Sequence, residues 1–325
     1  MTDFPQLFQP RTLRGKTTVL RTIGGFHRPT TGSVLLHGQD VSDLPPEKRP
    51  TGMVFQQYAL FPHMTVERNV GYGLSLQKRP KANIREKVSA MLDQVGLSGL
   101  GGRKPHELSG GQQQRVQLAR ALVLDRDILL LDEPLAALDA QLRKDMCLEL
   151  KHLQEKVGVT FIHVTHNQEE AMTVANRIAL IADGKLVEQG TARQIYEAPR
   201  RRFTASFVGE NNLIPGTVIE SDASTAMVET GAGKVSVPCE DVPEPGTKVT
   251  ISVRSELVSI GPGSDGIPAT YAESVYLGLT TSHRAELADG TEIVSRVVSS
   301  TAPAPETGAP VIVSWPQDAA RLHLE

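Results

Sequence analysis

Residues 108–112 read Leu-Ser-Gly-Gly-Gln, and their chemistry is that of an anion cradle. Ser109 offers a hydroxyl, and the paired Gly110 and Gly111 let backbone N–H groups come close to an anion. The run from Gln113 to Ala121 reads as a helix whose positive end would point at that anion. A plain glycine turn before a helix is the bland alternative. Farther on, Asp127-Ile128-Leu129-Leu130-Leu131-Asp132-Glu133-Pro134 is an apolar strand ending in two acids. Burying such a pair is costly unless a cation or hydrogen bonds receive it, and ligands of open α/β sheets bind at the carboxyl ends of parallel strands. There Asp132 can hold Mg²⁺, directly or through water, and Glu133 can position an attacking water; two carboxylates capping the next helix are the other reading. Near the start, Gly15-Lys16-Thr17-Thr18 is the second half of a phosphate-binding loop, G-x-x-x-x-G-K-[ST], with Val19, Leu20 and Ile23 at helical spacing behind it.

These side chains need a scaffold that brings strand ends together. Ile128–Leu131 and Thr160–Val164 are short and apolar, as strands buried on both faces should be. Between them Leu142, Met146, Leu150, Leu153 and Val157 recur at three- and four-residue steps, which predicts an amphipathic helix and hence a βαβ unit with a parallel sheet. Ile178–Ala182, Asp183-Gly184 and Leu186–Gln189 predict a hairpin. Arg200–Asn212 reads as a linker. Beyond it the helical period fades, and strands are expected at 217–219, 226–229, 235–237, 249–253, 270–276, 293–298 and 311–315, a small barrel or sandwich.

Composition narrows the partners. The 325 residues carry 34 Lys+Arg against 37 Asp+Glu, a net charge of −3, too balanced for an affinity resting on nucleic-acid phosphates. With 39% hydrophobic and 22% charged residues the chain reads as globular. Its longest apolar run, Ile178–Ala182, is far short of the about 20 residues of a membrane helix. The opening residues lack the pattern of an export signal, and Cys147 and Cys239 match no metal spacing, so a reduced cytoplasmic setting is expected.

Taken together the motifs resemble the ATP-binding subunit of an ABC transporter over nearly the whole chain. Leu108–Gln112 matches the family signature, Ile128–Glu133 the Walker B strand, Ala136–Asp139 the D-loop, Val164–His166 the switch-histidine motif and Val54–Gln56 the Q-loop. The resemblance implies an α/β, P-loop nucleotide-binding domain over 1–212, with a helical subdomain at about 64–125. A small all-β, barrel-like (TOBE/OB-like) regulatory domain is then expected over 213–325. It implies Glu133 as general base, His166 on the γ-phosphate, and Gln56 as sensor of Mg²⁺ and the attacking water. ATP contacts fall to Gly15, Lys16, Thr17, Thr18, Ser109, Gly110, Gly111, Gln112, Asp132 and Asp139, and Mg²⁺ to Thr17, Gln56 and Asp132. In this family the signature of one copy closes on the ATP held by another, so a homodimer is implied. Asn167 stands where many relatives have Asp.

The segment Tyr58–Val66 resembles the importer pattern that receives a permease's coupling helix, although an aromatic and Pro cluster also suits ordinary packing. The implied setting is peripheral, on the cytoplasmic side of the cell membrane, with integral-membrane permease subunits as partners and an extracytoplasmic binding protein acting indirectly. Leu138–Met146, Glu149–Gln154, Thr165–Met172 and Phe203–Leu213 look most like spermidine/putrescine importers, while sugar and ferric-iron importers share most of these segments. Val253-Arg254-Ser255-Glu256 follows the regulatory barrel's Arg-x-Glu, with Ser where Pro is common.

Two departures bear on activity. Pro10 occupies the first glycine position of the phosphate loop, removing an N–H donor, and Leu13 stands where such relatives carry another glycine, at a cost of about 1–2 kcal/mol if φ is positive. Weak nucleotide binding is expected. Only 15 residues precede Lys16, where the family places several strands and an adenine-stacking aromatic. The expectation is that the first strands are missing, through a truncation or frameshift before Gly15 or a start assigned downstream; Phe4 and Phe8 are candidates for stacking on adenine. A catalytically impaired remnant that binds a partner is the competing reading. A chromosome-organising ATPase is disfavoured because Pro62, Pro80 and Pro105 interrupt the interval where long coiled coils belong, and a GTPase because no Asn-Lys-x-Asp string occurs.

Overall fold

The strand Ile128–Asp132 is buried at every residue, because parallel neighbours run along both its edges. The structure, a computed structural model, describes residues 15–55, 60–136, 138–239, 241–300 and 304–324. In chain order these form α1 (Lys16–Ile23), β1 (Leu35–Leu36), β2 (Gln39–Asp40), β3 (Thr51–Val54), α2 (Val66–Leu76), α3 (Lys81–Gln94), α4 (Gly110–Leu122), β4 (Ile128–Asp132), α5 (Ala140–Val157), β5 (Thr160–Val164), α6 (Gln168–Val174) and β6 (Ile178–Ala182). Two compact units part between Leu186 and Val187, inside β7 (Lys185–Gly190). Among the described residues no helix is long and apolar enough to cross a membrane.

In the first unit the parallel sheet runs β3-β4-β5, with Val54 opposite Leu131 and Asp132 opposite Val164. This register brings the carboxyl ends of the three strands level. The βαβ unit is closed by α5, whose N-cap Asp139 accepts from the Leu142 N–H and whose end is Gly158 at φ 66°, a left-handed stop that suits glycine. Met146 and Leu150 of the expected apolar series are buried. The expectation that Thr160–Val164 is buried on both faces does not hold: Thr160 is exposed and the rest half-buried, since among the described residues β5 pairs with β4 alone. At the expected hairpin, Asp183 (φ 49°) and Gly184 (φ 73°) both have the positive φ of a two-residue hairpin turn.

Helix α4 is buried on two sides. Val116 and Ala119 join Val66, Val70 and Leu74 of α2 and Val88 and Leu92 of α3, while Leu118 and Leu122 pack with Val54, Leu129, Leu131 and Leu150. At about 1.5–3 kcal/mol per fully buried aliphatic side chain, this wedge holds the helical layer to the sheet and fixes where Ser109 stands.

The second unit continues with α7 (Ala192–Glu197), α8 (Arg202–Phe207), β8 (Asn211–Ser221), β9 (Thr225–Thr230), β10 (Gly233–Pro238), β11 (Lys248–Arg254), β12 (Ser259–Gly261), β13 (Ile267–Tyr276), β14 (Thr280–Leu287), β15 (Glu292–Val298), β16 (Pro310–Ser314) and β17 (Arg321–Leu324). They make two antiparallel sheets, β10-β9-β8-β11-β17 and β12-β16-β13-β14-β15. Ile214, Val228 and Ile251 of one share a core with Tyr271, Ala285, Ile293 and Val313 of the other. Asn212, 4% exposed, joins the sheets: its Nδ2 donates to Val294 O (2.8 Å) and Val253 O (3.3 Å), and its Oδ1 accepts from the Val294 N–H (2.7 Å). The side chain thereby occupies the outer edge of β15 as a strand would. Each expected strand region is extended, and β12, β14 and β17 are additional. The stretch read as a linker, Arg200–Asn212, instead folds as α8 and the first residues of β8.

Candidate nucleotide site

Helix α1 begins at Gly15, whose φ of 109° is open to glycine and hostile to L side chains; an added Cβ would also lie 3.1 Å from Gly184 Cα. This turn sets Lys16 and Thr17 at the first positions of the helix. Leu20, in one cluster with Leu36, Val41, Ile128 and Leu130, lays α1 on the sheet. The helix start therefore meets the ends of β4 and β5. Thr17 Oγ1 donates to Asp132 Oδ1 at 3.0 Å, Lys16 Nζ donates to Thr165 O at 2.8 Å, and His166 Nδ1 lies 3.3 Å from Glu133 Oε2. Arg21 reaches Asp132 Oδ2 at 3.9 Å.

Glu133 takes φ 48°, a left-handed conformation that costs a non-glycine residue roughly 1 kcal/mol or more. Its N–H donates to Val164 O at 3.0 Å, so the bend is tied to the end of β5. Burial lowers the pKa of Lys16, and the charge of Glu133 opposes that shift. An ammonium stripped of part of its hydration beside a carboxylate is suited to receive an anion.

Thr17 and Asp132 present two hard oxygen donors in contact, which fits Mg²⁺. Among the described residues no three His, Cys, Asp or Glu side chains could hold a metal ion by themselves. Gln56, the third expected ligand, lies outside the described residues, as do Pro10, Leu13, Tyr58 and Ala59. Thr18 is exposed on α1, and its carbonyl accepts from Thr22 Oγ1.

The other expected residues are positioned elsewhere. Ser109 caps α4 in a reciprocal box, with Gln112 N donating to Ser109 Oγ and Ser109 N to Gln112 Oε1. Gly110 opens that helix, and Gly111 is buried with room for ordinary contact to Leu142 and Met146. Asp139 caps α5. Among the described residues, no hydrogen bond or ion pair of the structure links the side chains of Ser109, Gln112 or Asp139 to the Lys16–Asp132–His166 group. In the structure Ser109, Gln112 and Asp139 are engaged as helix caps.

Sequence reasoning missed three positions. Thr165 serves through its carbonyl, which no residue type advertises. Asn69, 0% exposed, clamps the segment after the Q-loop: its Oδ1 accepts from the Phe61 N–H (2.8 Å), and its Nδ2 donates to the carbonyls of Phe61, Met64 and Thr65. Phe61 stacks near Tyr72 (4.7 Å between centroids) under the Arg120 guanidinium, beside a cleft of about 890 Å³ lined by His63, Arg68, Tyr72, Ile84 and Arg85. Glu170 is the third, and Asn167-x-x-Glu170 has the spacing of a helix start. In the second unit the Arg-x-Glu pattern is structural. Arg254 lies 4.0 Å over the Tyr196 ring, donates to the carbonyls of Tyr196 and Val208, and the Tyr196 hydroxyl donates to Glu256.

Comparison with known proteins places the chain in a family. The family model described as ABC transporter matches residues 14–136, and that of the TOBE domain residues 251–322. The chain is 45% identical over 314 residues to the spermidine/putrescine import ATP-binding protein PotA of Ruegeria pomeroyi, covering 95% of this chain and 85% of that one. It is 45% identical over 306 residues to the protein of the same name from Rubrobacter xylanophilus, covering 93% and 81%. Among solved structures, cbiO1 of Clostridium perfringens, part of the ABC transporter complex cbiONQ, superimposes with a TM-score of 0.52 at 28% identity, over 55% of this chain and 74% of that one. At this identity and coverage the chain belongs to the ATP-binding subunits of ABC transporters that carry a TOBE domain.

Proposed function

We propose that this chain is the ATP-hydrolysing subunit that energises an importer of polyamines of the spermidine/putrescine type. It would work as a pair of identical copies on the cytoplasmic face of the cell membrane, bound to integral-membrane permease subunits. The observation that carries the reading is the meeting of Lys16, Thr17, Asp132, Glu133 and His166 at the ends of β4 and β5. The cargo reading is supported by the relatives' names, spermidine/putrescine import ATP-binding proteins.

On this reading Gly15, Lys16, Thr17 and Thr18 receive the β- and γ-phosphates at the start of α1, where backbone N–H groups are free of helical partners. Thr17 and Asp132, with Gln56, would hold Mg²⁺, which when bound neutralises phosphate charge. Glu133 accepts the proton of the water whose oxygen attacks the γ-phosphorus, and the bond to ADP breaks. His166 steadies the γ-phosphate, and its contact with Glu133 keeps the two groups on the same side of the reacting centre. Ser109, Gly110, Gly111, Gln112 and Asp139 serve the ATP held by the other copy. The Asn69-clamped segment around Phe61 and the adjoining cleft suit the permease contact.

Pro10 and Leu13 favour a second reading, a chain that binds nucleotide weakly and turns it over slowly. One experiment tests both. ATP hydrolysis and uptake of labelled spermidine are measured with the permease, alongside the Glu133→Gln variant. The first reading expects both signals and their loss in the variant. Hydrolysis unchanged by Glu133→Gln overturns the role of Glu133, and uptake of a sugar or ferric iron in place of spermidine overturns the cargo. Absence of both signals in the unmodified chain supports the impaired form.

A further inference from the structure

Glu170 lies on α6, 4% exposed, and touches no residue of the Lys16–Asp132 group through any hydrogen bond of the structure. A carboxylate so deeply buried is costly unless it is paired and hydrogen-bonded, so its partners define what it is for. Thr165 Oγ1 donates to Glu170 Oε2 at 2.6 Å, and His163 Nε2 lies 2.7 Å from Glu170 Oε1. The Thr165 hydroxyl in turn accepts from the Asn167 N–H at 2.9 Å, and the Glu170 N–H donates to Asn167 Oδ1 at 3.0 Å. These bonds enclose His166, the residue between Thr165 and Asn167. Neither neighbour can turn without breaking one of them.

We infer that Glu170 is a positioning residue: through the Thr165 hydroxyl it locks the Thr165–Asn167 turn so that His166 meets Glu133 and the Thr165 carbonyl faces Lys16. The inference rests on the proposed ATPase reading for its consequence in turnover, but its geometric part stands on the chain alone. Burial by itself would raise the Glu170 carboxyl; the close approach and charge of His163, the Thr165 hydroxyl and the charge of Arg143 outweigh it and hold the group below the ordinary carboxylate range. Glu170 is therefore an anion in the folded protein, a stronger acceptor for the Thr165 hydroxyl than a neutral acid. Arg143 also donates to Leu138 O at 2.7 Å, so the same anion feels a cation anchored on the D-loop segment. The Glu170 carboxylate thus reaches one neighbour of His166 through the Thr165 hydroxyl, while its backbone N–H reaches the other through Asn167 Oδ1.

The test uses the full chain with its histidines labelled with ¹⁵N, in the forms Glu170→Ala, Glu170→Gln, Thr165→Val and the double Glu170→Ala/Thr165→Val. With no nucleotide present, Glu170→Ala and Thr165→Val should each shift the His166 ring-nitrogen signals. The double variant should match the singles, because both changes cut the same link. Glu170→Gln keeps an acceptor for the Thr165 hydroxyl and should leave His166 close to its original signals. In turnover, Glu170→Ala should lower kcat about tenfold or more with KM for ATP changed by less than about twofold, the pattern of a misplaced reacting group. Unmoved His166 signals in folded Glu170→Ala, or shifts that add in the double variant, overturn the inference; so does a melting-temperature loss with no change at His166. Should Glu170→Ala fail to fold, Thr165→Val, which exchanges a hydroxyl for a methyl, decides the same question. A parent chain without turnover and without any ATP-induced signal change would count against the ATPase reading, while the nucleotide-free shifts still judge Glu170.

Discussion

Lys16 Nζ donates to the Thr165 carbonyl at 2.8 Å, although 149 positions separate the two residues in the chain. The ammonium is thus held at the end of β5 by a neutral oxygen and is partly dehydrated, with its pKa lowered by burial. A charge kept in this condition contributes little to stability and much to recognition of an anion. Lys16→Ala should leave the melting temperature unchanged or slightly raised while weakening ATP binding about tenfold to hundredfold, the worth of a hydrogen bond to a charged group. Thermal melts and calorimetric titration of the same sample check both halves. A variant that unfolds would instead make Lys16 a structural residue.

The phosphate loop offers a gain of function. Pro10 withholds an N–H from the anion, and Leu13 resists positive φ by about 1–2 kcal/mol. Pro10→Gly and Leu13→Gly should each tighten Mg²⁺-dependent ATP binding, the second by roughly tenfold. Calorimetry is the measurement. Tight binding by the unaltered chain, with no gain from either glycine, would show that the loop needs neither.

Much of this arrangement was legible beforehand, for reasons that can be stated residue by residue. The five apolar positions of α5 announce a helix by their period, and β4 is recognisable because a buried parallel strand has no polar residue before its end. Other features left no such trace. The buried residues of β14 are Ser282, Ala285 and Leu287, which do not alternate, so the strand carries no period-two signal. Thr165 acts through a carbonyl that any residue possesses. Asn212, a polar residue at a strand edge, looks like a turn former until the partner sheet is present. Propensity describes a residue and its near neighbours, whereas these three are defined by segments far away in the chain.

On the proposed pairing of two copies Lys16 and Ser109 serve different ATP molecules, so defects in them should complement. A Lys16→Ala chain and a Ser109→Arg chain should each hydrolyse ATP poorly alone. Mixed in equal amounts and allowed to re-pair, they should regain activity, since a mixed pair combines one intact phosphate loop with one intact signature. Hydrolysis rates against mixing ratio report this directly. A mixture no better than the mean of its parts would place both residues in one chain's site.

The second unit should depend on Asn212. Replacing it with alanine leaves the Val294 N–H and carbonyl at β15 without the partner that fills that edge. The expected loss is about 3 kcal/mol, the penalty of stranding buried backbone groups. Denaturant melts followed by circular dichroism would measure it. Asn212→Asp should recover only part, because a carboxylate accepts from the Val294 N–H and cannot donate to the carbonyl.

His323 makes the stability of this unit sensitive to mild acid. It is 2% exposed on β17, with Nε2 2.8 Å from Ser252 Oγ on β11, and burial lowers its pKa from 6.5. The unfolded chain therefore takes up a proton at this ring before the folded one does. As pH falls below 6.5 the unfolded state is favoured progressively, until the folded-state pKa is reached and the loss levels off. Above 6.5 the ring is neutral in both states and contributes no slope. Melting temperatures from about pH 8 to about pH 5 should fall in the native protein, and His323→Gln, which keeps a polar group near Ser252 and cannot titrate, should flatten that fall. An acid slope identical in the two proteins would assign the sensitivity to another group.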